Sequence, residues 1–215
     1  MRNILITGFE PFGGEVVNPS WEVARHLDER SLEDAYVIHA VQLPTAFHAA
    51  KMALELAIDR LLPEVIVCLG EAGGRAQLTP ERVAINVMDA SIPDNEGDRP
   101  IDEPIDEAGP VAYWSTLPIK AMVTAMRAAN VPAAVSNTAG TYVCNSTFYA
   151  LMHYVSAQKL HTRAGFIHVP YMPEQTLARS APALPVETMV KGIIVALQAV
   201  VQTAEDLPLA DGQTH

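Results

Sequence analysis

The stretch VIVCLG at residues 65–70 decides the fold. Five successive apolar residues, Val65 to Leu69, predict a strand that is covered on both of its faces, as strands inside a parallel sheet are. Gly70 ends the apolar run, and Gly73 and Gly74 then break the chain. We therefore expect a buried strand here that ends at a glycine-rich turn.

On either side of this strand, short apolar runs alternate with stretches that have apolar residues at helical spacing. Further strands are predicted over 3–7, 36–43, 82–87, 133–136 and 165–169. Helices are predicted over 21–28, 45–61, 117–129, 145–160 and 186–204, the first of them capped by Ser20. Alternating strands and helices are typical of α/β proteins. We predict a three-layer α/β/α sandwich around a mixed, mostly parallel central sheet.

The length of 215 residues favours one domain, because domains contain roughly 150 residues. We therefore expect a single α/β domain over 1–215. The stretch 92–110 is polar and rich in Pro, Asp and Glu, and it is predicted to be a long loop of the kind that often carries function. The last residues, about 206–215, are expected to form a loose polar tail.

The 14 basic and 25 acidic side chains give the chain a formal net charge of −11. Nucleic acid is therefore not an expected partner, because phosphate binding needs a basic surface. No apolar run reaches the ~18–20 residues that span a bilayer, and the apolar part of the N-terminus is too short for a signal peptide, so no membrane partner is expected. We expect a cytoplasmic protein whose two cysteines, Cys68 and Cys144, are free thiols.

Several familiar catalytic motifs are absent from the sequence. The lack of a G-x-S-x-G element disfavours a serine α/β-hydrolase. The turn GFEPFGG at 8–14 follows a predicted strand but lacks the lysine and the glycine spacing of phosphate-binding loops. The seven histidines include no H-E-x-x-H pair and no tight cluster with cysteine, which disfavours zinc. Nucleotide and metal chemistry are therefore not favoured.

The two cysteines occupy different sequence environments. Cys68 lies inside the apolar strand, where a free cysteine behaves as a small hydrophobic residue. Cys144 lies in SNTAGTYVCNSTFYALMHYV, residues 136–155, where a turn with glycine leads into an amphipathic helix. Unpaired N–H groups at a helix N-terminus lower the pKa of a thiol, favour the nucleophilic thiolate and can form an oxyanion hole. A buried cysteine at a helix start is the alternative, and position alone supports both equally.

A cysteine nucleophile needs a base, and His168 is the strongest candidate. It lies at the C-terminal end of the predicted strand 165–169, the edge at which α/β sheets bind ligands. We expect it to pair with Cys144 if the elements that carry them are neighbours. The acid that orients the imidazole stays open at this point, among Glu71, Glu81, Asp89 and Asp94. Packing or solvation accounts better for the other histidines, which are His26, His39, His48, His153, His161 and His215.

Four segments carry a resemblance to a known family. They are GFEPFGG with NPSWE at 8–22, EAGGR with TPERVAIN at 71–86, SNTAGTYVCN at 136–145 and GFIHVPYMPEQ at 165–175. In these segments, and in their order, the chain resembles the pyroglutamyl peptidases, also called pyrrolidone-carboxylate peptidases, which are cytoplasmic cysteine exopeptidases. Four matches in the right order are far more specific than one short motif.

The resemblance implies a catalytic triad in which Cys144 is the nucleophile, His168 the base and Glu81 the acid. The expected reaction is removal of an N-terminal pyroglutamyl residue from a peptide through a thioester, with no metal or cofactor. Peptides with N-terminal pyroglutamate are therefore the expected substrates. The family also implies a homo-oligomer, a tetramer or a dimer, with which the apolar helix predicted over 186–204 is compatible.

The resemblance also implies a pocket for a small, uncharged lactam ring. The aromatic walls of that pocket correspond to Phe9 and Phe12, for which ordinary packing under a loop is the alternative. The remaining pocket residues are expected to be Ile92, Tyr142 and Val143, with backbone groups near Asn18 and Glu71 reading the lactam N–H and C=O.

Two positions depart from the family pattern. Glu71 replaces a glutamine that commonly precedes AGGR, and a carboxylate does not donate a hydrogen bond as an amide does. Ser91, in DASIPDN at 89–95, replaces an arginine that would serve the oxyanion site or brace the loop. Loss of an oxyanion donor costs about 10²–10³ in rate, and Arg75 and Arg82 lie nearby in sequence without an assigned place. The alternative function is therefore a low-activity or inactive homologue that binds or hydrolyses another small lactam or amide.

Overall fold

The structure is a computed structural model that describes residues 1–212, and its centre is a mixed six-stranded sheet. The strands of the chain are β1 (Arg2–Phe9), β2 (Ser31–Leu32), β3 (Tyr36–Leu43), β4 (Val65–Glu71), β5 (Thr79–Pro80), β6 (Val83–Ile85), β7 (Ala112–Trp114) and β8 (Arg163–Val169). The helices are α1 (Pro19–Arg25), α2 (Phe47–Leu61), α3 (Ile119–Ala128), α4 (Val143–Ala157) and α5 (Val186–Gln202), with a 3₁₀ turn at Pro173–Thr176. None of the helices described within 1–212 has the length and apolar character needed to cross a membrane.

The central sheet has the strand order β2-β3-β1-β4-β8-β5. The four long strands β3, β1, β4 and β8 are parallel to one another. The two-residue strands β2 and β5 lie at the two edges and run antiparallel to their neighbours, and β6 and β7 form a separate antiparallel ribbon. The predicted mixed, mostly parallel sheet is confirmed.

Residues of β4 alternate between two hydrophobic cores. Val65, Val67 and Leu69 pack on the face covered by α1, α3 and α5. Ile66 and Cys68 pack on the opposite face, which α2 and α4 cover. Both faces of this strand are buried, which is why its sequence is apolar at every position. The two helical layers confirm the predicted three-layer α/β/α sandwich.

Helix α1 begins earlier than the sequence suggests, and Ser20 does not cap it. Asn18 is the cap residue, because its side-chain oxygen accepts a hydrogen bond from the Ser20 N–H at 3.0 Å. Pro19 suits the first helical position, where no N–H is needed. The Ser20 hydroxyl instead accepts from the Phe9 N–H at 2.9 Å and so ties the helix to the end of β1.

The prediction of a strand over 133–136 is wrong, because this segment forms only isolated bridges to 78–81. One bridge joins Leu78 to Ala133 and the other joins Glu81 to Ser136. Pro80 lies between the two bridged positions and has no N–H to donate, so the ladder is interrupted.

The polar stretch 92–110 is a loop, as predicted, but side chains hold it in place. Asp94 accepts a hydrogen bond from the Phe47 N–H at 2.9 Å. It thereby caps α2, whose own cap residue Ala46 has no side-chain acceptor. The start of this loop is therefore fixed against the body of the protein.

The sequence predicts a loose tail from residue 206 onward. Within 206–212, however, two aspartates bind helix α3. Asp206 accepts hydrogen bonds from two backbone N–H groups in the first turn of α3. Asp211 pairs with Arg127 near the end of the same helix, at 2.7 Å. These residues are therefore not loose, because they supply acceptors and charge that α3 lacks on its own. His215 lies outside the described residues.

Candidate active site

The parallel strands end at one edge of the sheet, and three segments that carry the resemblance follow them there. β1 leads into GFEPFGG, β4 into EAGGR and β8 into the sequence VPYMPEQ. Ligands of α/β sheets bind outside the carboxyl ends of the strands. His168 is the next-to-last residue of β8 and lies in register with Gly70 of β4. The candidate base therefore stands at the edge where a site is expected.

Glu81 and His168 form a buried hydrogen-bonded pair. The Glu81 Oε1 and His168 Nδ1 atoms are 2.7 Å apart, and the two residues are 0% and 4% exposed. β5 brings them together, because Thr79 pairs with His168 across the sheet and Glu81 follows β5 directly. A carboxylate only accepts hydrogen bonds, so Nδ1 carries the proton and Nε2 is left to accept another.

The other three candidate acids have different surroundings. Asp94 caps α2, and Asp89 is exposed. Glu71 ends β4, and its carboxylate accepts a hydrogen bond from the Gln175 side chain at 2.8 Å. Over the described range 1–212, Glu81 is thus the one candidate that hydrogen-bonds to the imidazole.

Cys144 is the second residue of α4, and Gly70 leaves room for its sulfur. A Cβ atom on Gly70 would lie 2.7 Å from Cys144 Sγ and 2.6 Å from the Phe166 ring, closer than real Cβ atoms approach. Gly70 and His168 are register partners, and such positions project to the same face of a sheet. The sulfur and the imidazole therefore lie over the same face, one strand apart. The Phe166 and His168 rings pack against each other, with centroids 4.9 Å apart.

The N-terminus of α4 presents hydrogen-bond donors beside the thiol. Its cap residue Tyr142 makes no side-chain cap, and Ser146 donates the first intrahelical hydrogen bond, to the Tyr142 C=O at 3.1 Å. The preceding N–H groups, those of Val143, Cys144 and Asn145, have no carbonyl one turn earlier in the helix. Such groups, at the positive end of the helix, are suited to bind a developing oxyanion.

Burial raises the pKa of the Cys144 thiol to about 12. The residue is partly accessible to solvent, but protein atoms crowd its sulfur, and the carboxylates of Glu81 and Glu71 add to the rise. The Arg75 guanidinium lowers the pKa without cancelling these effects. This direction is opposite to the depressed pKa expected from the helix N-terminus, because burial and the two nearby acids favour the neutral thiol.

The two arginines that the sequence leaves unplaced have distinct partners. Arg75 donates from Nη1 to Glu81 Oε1 at 2.7 Å, so its guanidinium adjoins the candidate acid. Arg82 donates to the Asn137 side chain and to the Asp211 C=O. The contact made by Arg75 is a feature that sequence reasoning missed, and its sole sequence signal is the place of this arginine in EAGGR.

Some of the expected pocket residues lie on an accessible surface beside α4. Phe12 and Tyr142 are partly exposed, and their ring centroids are 6.1 Å apart. Tyr142 also donates its O–H to the Pro93 C=O at 3.0 Å, next to Ile92, which is 43% exposed. These three side chains therefore share one region. Tyr142 connects this region to the site, because it precedes Cys144 by two residues.

The other expected pocket residues are held within the fold. Phe9 and Val143 are 2% and 1% exposed, and Phe9 packs against Phe166 with ring centroids 6.4 Å apart. The packing alternative thus describes Phe9 in this structure. Asn18 uses its side chain to cap α1 and to donate to the Glu10 C=O at 2.9 Å.

The two departures from the family pattern also differ in their surroundings. Burial raises the pKa of the Glu71 carboxyl, and the hydrogen bond from Gln175 partly opposes that rise. Ser91 is exposed at the start of the long loop.

Fold and site together define a class of protein. A thiol at a helix N-terminus, over the carboxyl edge of a parallel sheet and one strand from a His–Glu pair, is the arrangement of an α/β cysteine hydrolase. Across the part of the chain that the structure describes, no three His, Cys, Asp or Glu side chains are grouped to hold a metal ion.

Proteins of similar sequence and structure identify the family. The pyroglutamyl peptidase family model matches residues 2–203. Pyrrolidone-carboxylate peptidases of Bacillus cytotoxicus and Bacillus subtilis are each 50% identical over 100% of this chain and over 100% and 99% of their own. The crystal structure of pyroglutamyl peptidase I from Bacillus amyloliquefaciens has a TM-score of 0.95 at 47% identity, over 97% of this chain and 99% of that one. The structure of pyrrolidone carboxyl peptidase from Thermococcus litoralis has a TM-score of 0.93 at 35% identity, over 98% and 100%. The chain belongs to the pyroglutamyl peptidase family, a family of cysteine peptidases.

Proposed function

We propose that the chain removes N-terminal pyroglutamyl residues from peptides, with Cys144 as nucleophile, His168 as base and Glu81 as the acid that orients the imidazole. One observation carries this assignment. Glu81 Oε1 lies 2.7 Å from His168 Nδ1, beside the strand over which the Cys144 sulfur packs. Burying a carboxylate is costly unless it is paired, so a site that only binds ligands has little use for this arrangement. Family membership supports the class of substrate.

Acylation begins from the neutral thiol. Because the thiol has a pKa of about 12, it gives its proton to His168 Nε2 as the sulfur attacks the acyl carbon of the pyroglutamyl residue. The Glu81 carboxylate at Nδ1 stabilises the imidazolium that forms. The carbonyl oxygen becomes an oxyanion, which accepts hydrogen bonds from the N–H groups at the start of α4. These N–H groups are suited to this role because no side chain caps the helix.

Breakdown of the tetrahedral intermediate cleaves the C–N bond, and His168 Nε2 gives its proton to the leaving amine. The pyroglutamyl group remains on Cys144 as a thioester. Water then attacks the thioester carbonyl while Nε2 takes one of its protons. Collapse of the second intermediate releases pyroglutamate and returns that proton to the sulfur. Each cycle consumes one water molecule and restores the thiol and the neutral imidazole.

Specificity in this proposal comes from an apolar surface with few polar groups. Phe12, Tyr142 and Ile92 contact the lactam ring, while backbone groups near Asn18 and Glu71 pair with its N–H and C=O. An ordinary N-terminus brings an ammonium group against the same surface, and burying a charge there costs several kcal/mol. A substrate without the lactam also leaves the site's polar groups unpaired.

We also propose that the protein acts as a cytoplasmic homo-oligomer, a tetramer or a dimer. Both cysteines are free thiols, and the mechanism needs Cys144 reduced, which a reducing compartment ensures. An apolar cavity of about 310 Å³ along α5, lined by Val186, Ile194 and Val195 among others, supports association through that helix. Sedimentation of the purified chain tests the oligomeric state.

The direct test of activity is hydrolysis of pyroglutamyl-aminomethylcoumarin amide by the purified full chain under reducing conditions. We expect fluorophore release by the native chain and none by Cys144→Ala. Alanyl-aminomethylcoumarin amide serves as the substrate control, and it should remain intact because its ammonium group is excluded. No release from the folded native chain would contradict the proposal.

A second candidate function is favoured by Ser91, which is exposed at a position where the resemblance leads us to expect arginine. It is a slow homologue that acts on another small lactam or amide. If the native chain is slow and Ser91→Arg is fast, the first function holds and Ser91 reduces its rate. If both are silent with the pyroglutamyl substrate, the second candidate is favoured.

A further inference from the structure

The carboxylate of Glu81 is buried, with both of its partners on one oxygen. Oε1 accepts from His168 Nδ1 and from Arg75 Nη1, each at 2.7 Å, while Oε2 has no hydrogen-bond partner within residues 1–212. In the proposed mechanism His168 is neutral until it takes the Cys144 proton, so Arg75 is the permanent cation in contact with this carboxylate. Removal of one partner from a buried ion pair is strongly unfavourable, because it leaves the other charge uncompensated.

The Arg75 guanidinium is held by two further segments of the site. Nη1 also donates to the Thr79 hydroxyl at 2.6 Å, and Nη2 donates to the Thr138 C=O at 3.1 Å. Thr79 belongs to the strand that pairs with His168, and Thr138 lies in the turn that leads to Cys144. One guanidinium therefore joins the acid, the strand beside the base and the segment before the nucleophile.

Two glycines direct the Arg75 side chain back to the site. Gly74 has a φ of +90°, which L side chains rarely adopt, and the Arg75 N–H closes the turn onto the Ala72 C=O at 3.2 Å. A Cβ atom on Gly73 would lie 2.1 Å from the Tyr171 hydroxyl oxygen. Replacement of Gly74 would therefore strain the turn that carries Arg75, and replacement of Gly73 would displace the Tyr171 side chain.

We propose that Arg75 is a positioning residue for the reaction described above, on which this inference rests. It holds the Glu81 carboxylate at Nδ1, and thereby keeps the His168 proton on Nδ1 and the lone pair on Nε2. Without Arg75, the uncompensated carboxylate is no longer held at Nδ1, the imidazole proton moves to Nε2, and Nε2 no longer accepts the Cys144 proton. Arg75 thus acts through the choice of tautomer and not through contact with the substrate.

Arg82 provides a matched control. It follows Glu81 directly, and its guanidinium also binds the turn before Cys144, where Nε donates to Asn137 Oδ1 at 2.7 Å. Among the described hydrogen bonds none joins Arg82 to the Glu81 carboxylate. Arg82→Ala therefore removes a cation from the same neighbourhood while leaving both partners of Glu81 in place.

The first measurement is kcat and KM for pyroglutamyl-aminomethylcoumarin amide. We expect Arg75→Ala to lower kcat by about 10²-fold or more, because loss of the correct imidazole tautomer is severe in triad enzymes. KM should change by less than about threefold, since Arg75 does not touch the substrate. Arg75→Lys should recover part of the rate, and Arg82→Ala should stay within about threefold of the native chain.

Chemical rescue separates positioning from folding. Arg75, Thr79 and Thr138 line an open cavity of about 440 Å³, so methylguanidinium has a path to the place of the deleted side chain. Added methylguanidinium is expected to raise the kcat of Arg75→Ala by about tenfold and to leave Arg82→Ala unchanged. A kcat for Arg75→Ala within about threefold of native, or a loss that neither Lys nor methylguanidinium restores, would overturn the proposal.

A readout that does not need activity is the tautomer itself. Nitrogen NMR of the ¹⁵N-histidine-labelled chain, with His168→Asn to assign the signal, should show the proton on Nδ1 in the native chain and on Nε2 in Arg75→Ala. The same tautomer in both would overturn the inference. A native chain that shows the Nδ1 tautomer but no hydrolysis would count against the proposed function and not against the role of Arg75.

Discussion

The two cysteines of the chain belong to one hydrophobic cluster but have different neighbours around their sulfur atoms. Cys68 is fully buried in β4, and burial raises its thiol pKa to about 12, although the neighbouring Thr7 side chain acts in the opposite direction. The pKa of Cys144 is raised to about the same value, yet this residue is partly accessible and lies at the start of α4. The resting charge of the thiols therefore does not separate the two. Access to substrate and a nearby proton acceptor do.

The difference depends on a shift of two residues along one strand. Cys68 is the register partner of Phe166, so an aromatic ring faces it from β8. Gly70 is the register partner of His168, and the Cys144 sulfur occupies the space above it. β4 thus carries a fully buried thiol and, at the next position on the same face, the glycine over which the Cys144 sulfur packs, one strand away from His168.

The largest effect on the rate is expected when each thiol is removed in turn by substitution with alanine. Cys144→Ala should lower kcat/KM by at least about 10⁴-fold, because no other group takes over the nucleophile of a triad. Cys68→Ala should keep the rate within about threefold and lower the free energy of unfolding by about 1 kcal/mol, the cost of a small cavity. Hydrolysis assays and urea unfolding measure the two quantities. An equal loss of rate in both variants would end the contrast between the cysteines.

The next effect tests whether the proton acceptor is what distinguishes Cys144. Glu81→Gln should lower kcat by about 10²–10⁴-fold, because an amide donates to Nδ1 and holds the imidazole in the wrong tautomer. Asp89→Asn is the matched control, since Asp89 is also an acid near the site in sequence but is exposed. Steady-state kinetics of both variants are compared with the native chain. Retention of the native rate by Glu81→Gln would remove Glu81 from the proposed mechanism.

The sequence predicts the sheet and two members of the candidate site for physical reasons that are local. Apolar runs such as 65–69 indicate strands buried on both faces, and the structure confirms them. A glycine-containing turn before an amphipathic stretch places Cys144 at a helix start, and the last residues of an apolar run place His168 at a strand end.

What the sequence does not predict depends on pairing between distant segments. Local sequence patterns do not show which of four acids contacts His168. The contact with Glu81 depends on β5, a two-residue strand that contains proline and has no alternating pattern. Arg75 reaches Glu81 across a turn of two glycines, which no spacing rule encodes. The pKa of Cys144 is predicted in the wrong direction because a helix start is visible in sequence, whereas the burial of the sulfur and the nearby carboxylates of Glu81 and Glu71 are not.

A smaller effect concerns the pH dependence of the thiols in the absence of substrate. With a pKa raised to about 12, the thiolate fraction of Cys144 rises about tenfold per pH unit throughout pH 7–10. The rate of iodoacetamide alkylation, measured in Cys68→Ala so that one thiol reports, should rise in the same way. The folded Cys144→Ala variant should resist alkylation, because Cys68 is inaccessible. A plateau below pH 8 would show that His168 and the helix N-terminus outweigh burial.

The smallest expected effect comes from Glu71, an acid that shifts the pKa of one of the two cysteines. The Glu71 carboxylate raises the pKa of Cys144 and is not among the groups that shift the pKa of Cys68. Glu71→Gln removes that charge, and the introduced amide oxygen can still accept the hydrogen bond that Gln175 donates at 2.8 Å. Both kcat/KM and the alkylation rate at pH 7 should therefore rise by about threefold.

Glu15→Gln is the control for this last substitution. Glu15 pairs with Arg179 and raises the pKa of Glu71, but it is not among the groups that shift the pKa of Cys144. Its loss should leave the alkylation rate unchanged. If Glu71→Gln instead lowers kcat/KM while the alkylation rate rises, the carboxylate itself accepts a hydrogen bond from the lactam. Glu71 would then affect the thiol and the substrate in opposite directions, and its departure from the family pattern would be a means of recognition.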